Sequence, residues 1–350
     1  MNFPLTNLSA FHSDILRQTQ LGQLCGREQL FRDRYRILRI LGRGGFGVTF
    51  LATDVYLPGE PLCVIKQLCP KTSDPVALQS ARVRFEREAK TLGKLGTHSQ
   101  IPLLLDYFVV DGEFYLVQEY VQGATLARLV RRNGSLSEAA VKKFFRHMLH
   151  LLQYVHHYKV IHRDIKPQNI IRSQDDGRLV LIDFGAVKEK IAQFGDIGLG
   201  NSTTNFVGTV GFAPPEQFAL RPVYASDIYA LGVTCVYLLT GKAPLDLESC
   251  CTTGELLWRD AVQVSDSFAR ILDKTIKISL QERYLSAEAV LRELDSNVES
   301  SQPTLVRCLA VQTPVEILDN PSSEEYIPPT VRTAQAIREW KARLEAKHSQ

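Results

Sequence analysis

The chain has 350 residues, enough for one large or two modest domains with sizeable cores. Its 45% apolar and 23% charged residues are those of an ordinary globular protein, and a formal charge of +3 leaves no footprint of nucleic acid or membrane as a partner. No apolar run approaches the ~20 residues of a membrane helix, and Ile228 to Leu239 reads instead as a buried core helix.

Residues 1–34 precede the first strand as a leader. Asp14 interrupts the first twenty residues and the start is not basic, so no signal peptide is expected. Leu8, Phe11, Ile15 and Leu16 have helical spacing, which suits a short amphipathic helix. Docking on the body and a poorly ordered end are both open to it.

Tyr35 to Thr53 alternates apolar and polar residues around L-G-R-G-G-F-G, the pattern of two strands joined by a glycine turn. Gly42, Gly44 and Gly47 match G-x-G-x-x-G, with Leu41, Gly45 and Phe46 filling the turn. A strand, Val48 to Ala52, follows these glycines, whereas a dinucleotide-binding fold requires a helix there. Glycines lacking Cβ let backbone N–H groups approach phosphate oxygens.

Lys66 ends the apolar strand C-V-I-K, placed to reach the phosphates if a carboxylate supports it. Ser80 to Leu95 has helical periodicity through Val83, Phe85, Ala89, Leu92 and Leu95, and offers Glu86 and Glu88. Glu88 shares a side with Leu92, so it points inward as the partner of Lys66, with Glu86 the second choice. Ile101 to Val110 and Glu113 to Val121 read as a hairpin about Asp111 and Gly112. Polarity rises after Val121, marking a lobe boundary with a crevice for nucleotide. Ser137 to Lys159 is a long helix with Ser137 as N-cap.

The segment V-I-H-R-D-I-K-P-Q-N-I-I…L-V-L-I-D-F-G, from Val160 to Gly185, carries the chemistry. Asp164 is followed by Lys166 and Asn169, and a second acid, Asp183, comes after a short apolar strand. Phosphoryl transfer to a hydroxyl needs such a set, with one carboxylate to orient the nucleophile and oxygen ligands to hold Mg²⁺.

Taken together, these motifs resemble the bacterial eukaryotic-like Ser/Thr protein kinases, of the kind found in cyanobacteria, over Tyr35 to Leu294. The resemblance implies an α+β, two-lobed protein-kinase fold, with a β-rich small lobe over 35–121 and a helical large lobe over 122–296. It implies ATP with Mg²⁺, or Mn²⁺ in its place, and transfer to Ser or Thr hydroxyls of protein substrates. Asp164 is then the catalytic base, Lys166 steadies the γ-phosphate, and Asn169 and Asp183 are metal ligands. Glu119 and Val121 offer backbone hydrogen bonds to adenine, Gln118 stands behind it as gatekeeper, and Ile171 forms the pocket floor. His162 and Phe184 stack with Leu92 and Leu104 in an apolar spine. Asp227 is implied to anchor the catalytic-loop backbone from the start of the central helix; a plain helix N-cap is the alternative role, and the two are compatible.

The family's activation segment corresponds to Ala186 to Glu216, with Ser202, Thr203 and Thr204 where activating phosphates sit and Arg163 as their partner. Glu216 is expected to pair with Arg283. Three departures stand out: Thr49 in place of valine, Val64 in place of alanine, and G-T-V-G-F for G-T-P-G-Y. The first two narrow or polarise the adenine pocket; none removes a catalytic group. Two rivals remain, a pseudokinase scaffold and a small-molecule kinase, and Lys166 with the Gly208–Glu216 segment favours a protein acceptor.

The seven cysteines lack any C-x-x-C pair, which suits reduced thiols in the cytoplasm. Residues 297–350 form a Pro- and Ser-rich linker followed by an amphipathic helix from Val331 to Lys347, with Ile337, Trp340 and Leu344 on one side. That helix suits docking on the body or on a partner.

Overall fold

The computed structural model describes residues 19–43, 47–69, 74–189 and 208–299. The elements in order are helix α1 (Gln20–Leu24), strands β1 (Tyr35–Arg43), β2 (Gly47–Asp54) and β3 (Leu62–Leu68), helix α2 (Pro75–Leu95), and strands β4 (Leu104–Val110) and β5 (Glu113–Glu119). After these come β6 (Gly123–Thr125), α3 (Leu126–Asn133), α4 (Glu138–His157), β7 (Val160–Ile161), β8 (Ile170–Ser173), β9 (Leu179–Leu181) and β10 (Lys188–Glu189). Four helices close the body: α5 (Pro215–Phe218), α6 (Tyr224–Thr240), α7 (Asp266–Thr275) and α8 (Ala287–Glu299). The two-lobed α+β arrangement expected from the sequence is the one found.

The small lobe is an antiparallel sheet in the order β1-β2-β3-β5-β4. The period of two sorts its side chains into two cores. Val48, Phe50, Cys63, Ile65, Tyr115 and Val117 lie in one buried cluster. Leu68 and Leu116 join α2 in the other, which continues into the large lobe. Lys66 and Gln118 share the second alternation, so the strand pattern itself delivers both to the cleft side.

Residues from Thr19 onward in the leader pack against the small-lobe sheet. Thr19 caps α1 by accepting from the N–H of Gly22 at 3.0 Å, and Leu21 is fully buried beneath the outer face of the sheet. Leu21 N–H donates to Oε1 of the buried Gln67, and the Tyr115 hydroxyl donates to Gln20 Oε1 at 2.7 Å. Leu8, Phe11, Ile15 and Leu16 lie outside the described residues. A buried leucine cut to alanine loses its transfer energy and leaves a cavity. Leu21→Ala is therefore expected to cost about 2–4 kcal/mol in urea unfolding; a loss below about 0.5 kcal/mol would mean that α1 contributes no packing.

α2 begins at Pro75, earlier than its apolar periodicity signals. Asp74 accepts from the N–H of Val76 at 3.3 Å, and proline in the first turn needs no hydrogen-bond partner. In the large lobe, α4 turns Phe144, Phe145, Met148 and Leu152 inward against α6, and Ser137 caps it by accepting from Ala140 N–H at 3.4 Å. Ile228 to Leu239 falls within α6, buried on nearly all sides. The N-cap of α6 is Val223, not Asp227, which stands in the first turn with its side chain committed elsewhere. Among the described residues, no helix is long and apolar enough to cross a membrane.

Candidate active site

Lys66 projects from β3 towards α2 and forms an ion pair with Glu88, which is 5% exposed. Its Nζ also stands 3.6 Å from Asp183 Oδ1. Glu86, one of the two acids the sequence offers, turns outward and pairs with Lys90 at 2.8 Å. Burial disfavours the Lys66 ammonium, but Glu88 and Asp183 outweigh it and push its pKa up, so the cation is secure. The same lysine is the main reason that Asp183 lies below the usual carboxylate range.

Of the glycine turn, Leu41, Gly42 and Gly47 are described; Gly44, Gly45 and Phe46 lie outside the described residues. A Cβ on Gly47 would come within 2.3 Å of the Gln67 carbonyl oxygen, so only glycine lets β2 approach β3 there. Thr49 pairs across the sheet with Lys66, and Val64 with Gln118. Gln118 is buried. The N–H of Glu119 donates to the Leu103 carbonyl at 2.9 Å and its side chain pairs with Arg178 at 3.2 Å. Val121 is buried just beyond, and Ile171 lies on β8 opposite Thr125. Gly123 packs so tightly on β8 that a Cβ would meet Arg172 O at 2.2 Å.

Asp164 is the hub of the catalytic loop. Its Oδ2 accepts from Lys166 Nζ at 2.7 Å and Asn169 Nδ2 at 2.9 Å, while its Oδ1 accepts from the Thr209 hydroxyl at 2.8 Å. Lys166 Nζ donates to Thr209 Oγ1 as well, at 2.6 Å. Asn169 Nδ2 also reaches the Asp164 carbonyl at 2.8 Å, which turns its amide oxygen to the other side. Asn169 and Asp183 are tied through Ile182 N–H to Asn169 O at 2.8 Å. Asp183 itself is left-handed, at φ 70°, as is Arg163 at φ 71°. Non-glycine residues hold such angles only where surroundings impose them.

Those surroundings are visible. Asp227, fully buried, accepts from His162 N–H at 2.9 Å and Arg163 N–H at 2.8 Å, fixing the loop from α6. His156 Nε2 lies 2.9 Å from the same carboxylate. His162 meets Phe184 edge-on at 4.7 Å between ring centroids, and Leu92 and Leu104 pack in the same core. Burial pushes the His162 pKa down, favouring a neutral ring.

Glu216 and Arg283 meet at 2.7 Å, and the arginine also donates to the carbonyls of Ala225, Lys277 and Ile278. Its side chain is wholly buried. Truncating it leaves the largely buried Glu216 carboxylate with only the Ser226 hydroxyl as partner among the described residues, so Arg283→Leu is expected to lower stability by about 3–5 kcal/mol in chemical denaturation. A loss under about 1 kcal/mol would mean that solvent already screens the pair.

Arg163 completes a basic cluster. Among the described residues its buried Nε has no hydrogen-bond partner, and its guanidinium pKa is lowered by burial and by Arg84 and Arg87 on α2. Ser202, Thr203 and Thr204 lie outside the described residues.

Sequence reasoning passed over Thr209, His156, Gln217 and Arg178. Thr209 carried a signal, a lone hydroxyl in the glycine-rich run G-T-V-G. Gln217, whose Nε2 donates to the Arg163 carbonyl at 2.6 Å, carried none.

Residues 35–294 match the family model for the protein kinase domain. Similar proteins include serine/threonine-protein kinase B of Synechocystis, 53% identical over 283 residues covering 79% of this chain and 49% of the relative. Serine/threonine-protein kinase PknA of Nostoc is 46% identical over 281 residues, covering 79% and 50%, and serine/threonine-protein kinase C of Synechocystis is 44% identical over 271 residues, covering 77% and 51%. The chain thus spans about half the length of the curated relatives it matches. With cleft, loops and family model in agreement over one stretch, the chain belongs to the protein kinase domain family.

Proposed function

We propose that this chain transfers the γ-phosphoryl group of Mg·ATP to Ser or Thr hydroxyls of protein substrates. The observation that carries the reading is the Asp164 carboxylate, gathered between Lys166, Asn169 and Thr209 at 2.7–2.9 Å. Lys66, held by Glu88, positions the α- and β-phosphates, and the strands either side of the glycine turn cover them. Asp164 orients the incoming hydroxyl and accepts its proton as the new P–O bond forms and the bond from the γ-phosphorus to the bridging oxygen breaks, with ADP as the leaving group. Lys166 supplies positive charge beside the γ-phosphate. The donor set also fits a hard cation: the half-exposed Asp183 carboxylate and the Asn169 amide oxygen are oxygen ligands of the kind Mg²⁺ takes together with phosphate oxygens. Asp183 and Asn169 would hold a divalent ion, whose charge would offset that of the phosphates.

Thr209 links this centre to the Gly208–Glu216 segment, and that segment to Arg283, which supports a protein acceptor over a small molecule. Arg163 with Arg84 and Arg87 supports a second element of the proposal, activation by phosphate on Ser202, Thr203 or Thr204. Free cysteines suit a cytoplasmic setting. Phosphosite mapping on the chain and on a host lysate, each incubated with Mg·ATP, tests all of this. Phosphate on Ser or Thr of proteins is expected, including the 202–204 loop. Phosphorylation of a small molecule but of no protein overturns the acceptor class, and an active preparation with no phosphate in that loop overturns self-activation.

A further inference from the structure

The peptide unit that joins Arg163 to Asp164 is held at both of its polar atoms. The Asp164 N–H donates to His162 Nδ1 at 3.3 Å, and the Arg163 carbonyl accepts from Gln217 Nε2 at 2.6 Å. One bond earlier, the Arg163 N–H donates to Asp227 Oδ1 at 2.8 Å. Arg163 is left-handed at φ 71°, an angle that a non-glycine residue keeps only while its surroundings impose it.

Gln217 is 1% exposed, so its amide has been taken out of water. An apolar side chain of the same length would fill that space without the desolvation cost of a primary amide. The donor is instead aimed at a loop 54 residues away in sequence. Its own base is firm, because Gln217 sits on α5 beside Glu216, which Arg283 holds at 2.7 Å. The same stretch of chain begins at Thr209, whose carbonyl accepts from the N–H groups of Phe212 and Ala213 at 3.0 and 3.1 Å. The segment from Thr209 to Gln217 therefore meets Asp164 twice. Thr209 binds the carboxylate, and Gln217 binds the backbone just before it.

We propose that Gln217 is a positioning residue for phosphoryl transfer, fixing the peptide plane ahead of Asp164 and so aiming its carboxylate at the acceptor hydroxyl. The kinetic part of this inference rests on the reading of Asp164 as the base. Gln217 acts through the backbone, so its effect falls on kcat rather than on nucleotide binding. Small misplacements of a reacting group are enough for such an effect, up to about 10²-fold in rate for about 1 Å.

Two variants test it. Gln217→Met keeps length and bulk and removes the donor. It is expected to lower kcat about tenfold, equal to about 1.4 kcal/mol, with the Kd for Mg·ATP within about twofold of wild type. Gln217→Glu keeps the shape but can donate to the Arg163 carbonyl only when protonated. Burial raises the pKa of a carboxyl placed there, so its kcat relative to wild type is expected to climb several-fold as pH falls from about 8 to about 6. The titrations of Asp164, Asp227, Glu216 and His162 nearby are common to both proteins and cancel in that ratio. Thermal melting confirms that each variant folds, and Gln217→Met decides alone if the carboxyl is not accommodated. A Gln217→Met kcat within twofold of wild type, a flat ratio for a folded Gln217→Glu, or an equal loss of ATP affinity overturns the positioning role. Hydrogen exchange over residues 162–166, expected to be faster in Gln217→Met, follows the backbone hold without turnover, and unchanged exchange overturns that hold. An inactive wild type overturns the Asp164 reading and the kinetic role with it, while exchange still decides the hold.

Discussion

Asp164→Asn is expected to lower kcat for protein phosphorylation by about 10³-fold while leaving the Kd for Mg·ATP within about twofold. An amide cannot accept the hydroxyl proton, and its NH₂ faces the donors that Asp164 now receives from Lys166, Asn169 and Thr209. The nucleotide contacts proposed above, Lys66 and the glycine turn, lie elsewhere, so ground-state binding is expected to be spared. Steady-state kinetics with calorimetry of ATP binding separates the two effects. Equal losses in kcat and in nucleotide affinity would show that Asp164 shapes the pocket rather than the proton transfer.

Lys66→Met is expected to act on both stability and catalysis. It removes the cation from Glu88, which is 5% exposed, and it removes the positive charge nearest Asp183. Loss of one partner of a buried pair costs about 3–5 kcal/mol, and loss of a positioned donor at phosphate about 10²–10³ in kcat/KM for ATP. The pH dependence carries the sign. Burial already pushes the Glu88 pKa up, and without Lys66 nothing nearby opposes that push. A carboxyl whose folded pKa lies above its unfolded value of about 4.3 keeps its contribution below that value and loses it as pH rises through the folded pKa. Urea midpoints of the variant should therefore fall relative to wild type as pH rises from about 4 upward. Parallel curves would mean that Glu88 finds another cation.

What the sequence reveals depends on how far apart along the chain the partners lie. Asp164, Lys166 and Asn169 sit within one loop, so their spacing alone marks a centre. Lys66 and Glu88 are on different elements, yet the two-residue strand period and the side of α2 shared with Leu92 bring both to one place. Glu216 and Arg283 are 67 residues apart, and only family resemblance joins them. Thr209 reaches Asp164 across 45 residues, and His156 reaches Asp227 across 71; such contacts have no local pattern to announce them. Of the two roles open to Asp227, its carboxylate takes the loop anchor, accepting from two loop N–H groups beside His156, while Val223 takes the cap position. Leu21 was illegible for a similar reason, because its anchor is Gln67, a polar residue buried within an apolar strand.

The most direct measurement is transfer of radiolabelled γ-phosphate from Mg·ATP to a generic basic acceptor protein, run side by side with wild type and Asp164→Asn. The account predicts label on acceptor Ser or Thr with wild type and a signal about 10³-fold lower with the variant. Wild-type label no higher than that of Asp164→Asn would contradict it, and would make the chain a kinase-fold scaffold.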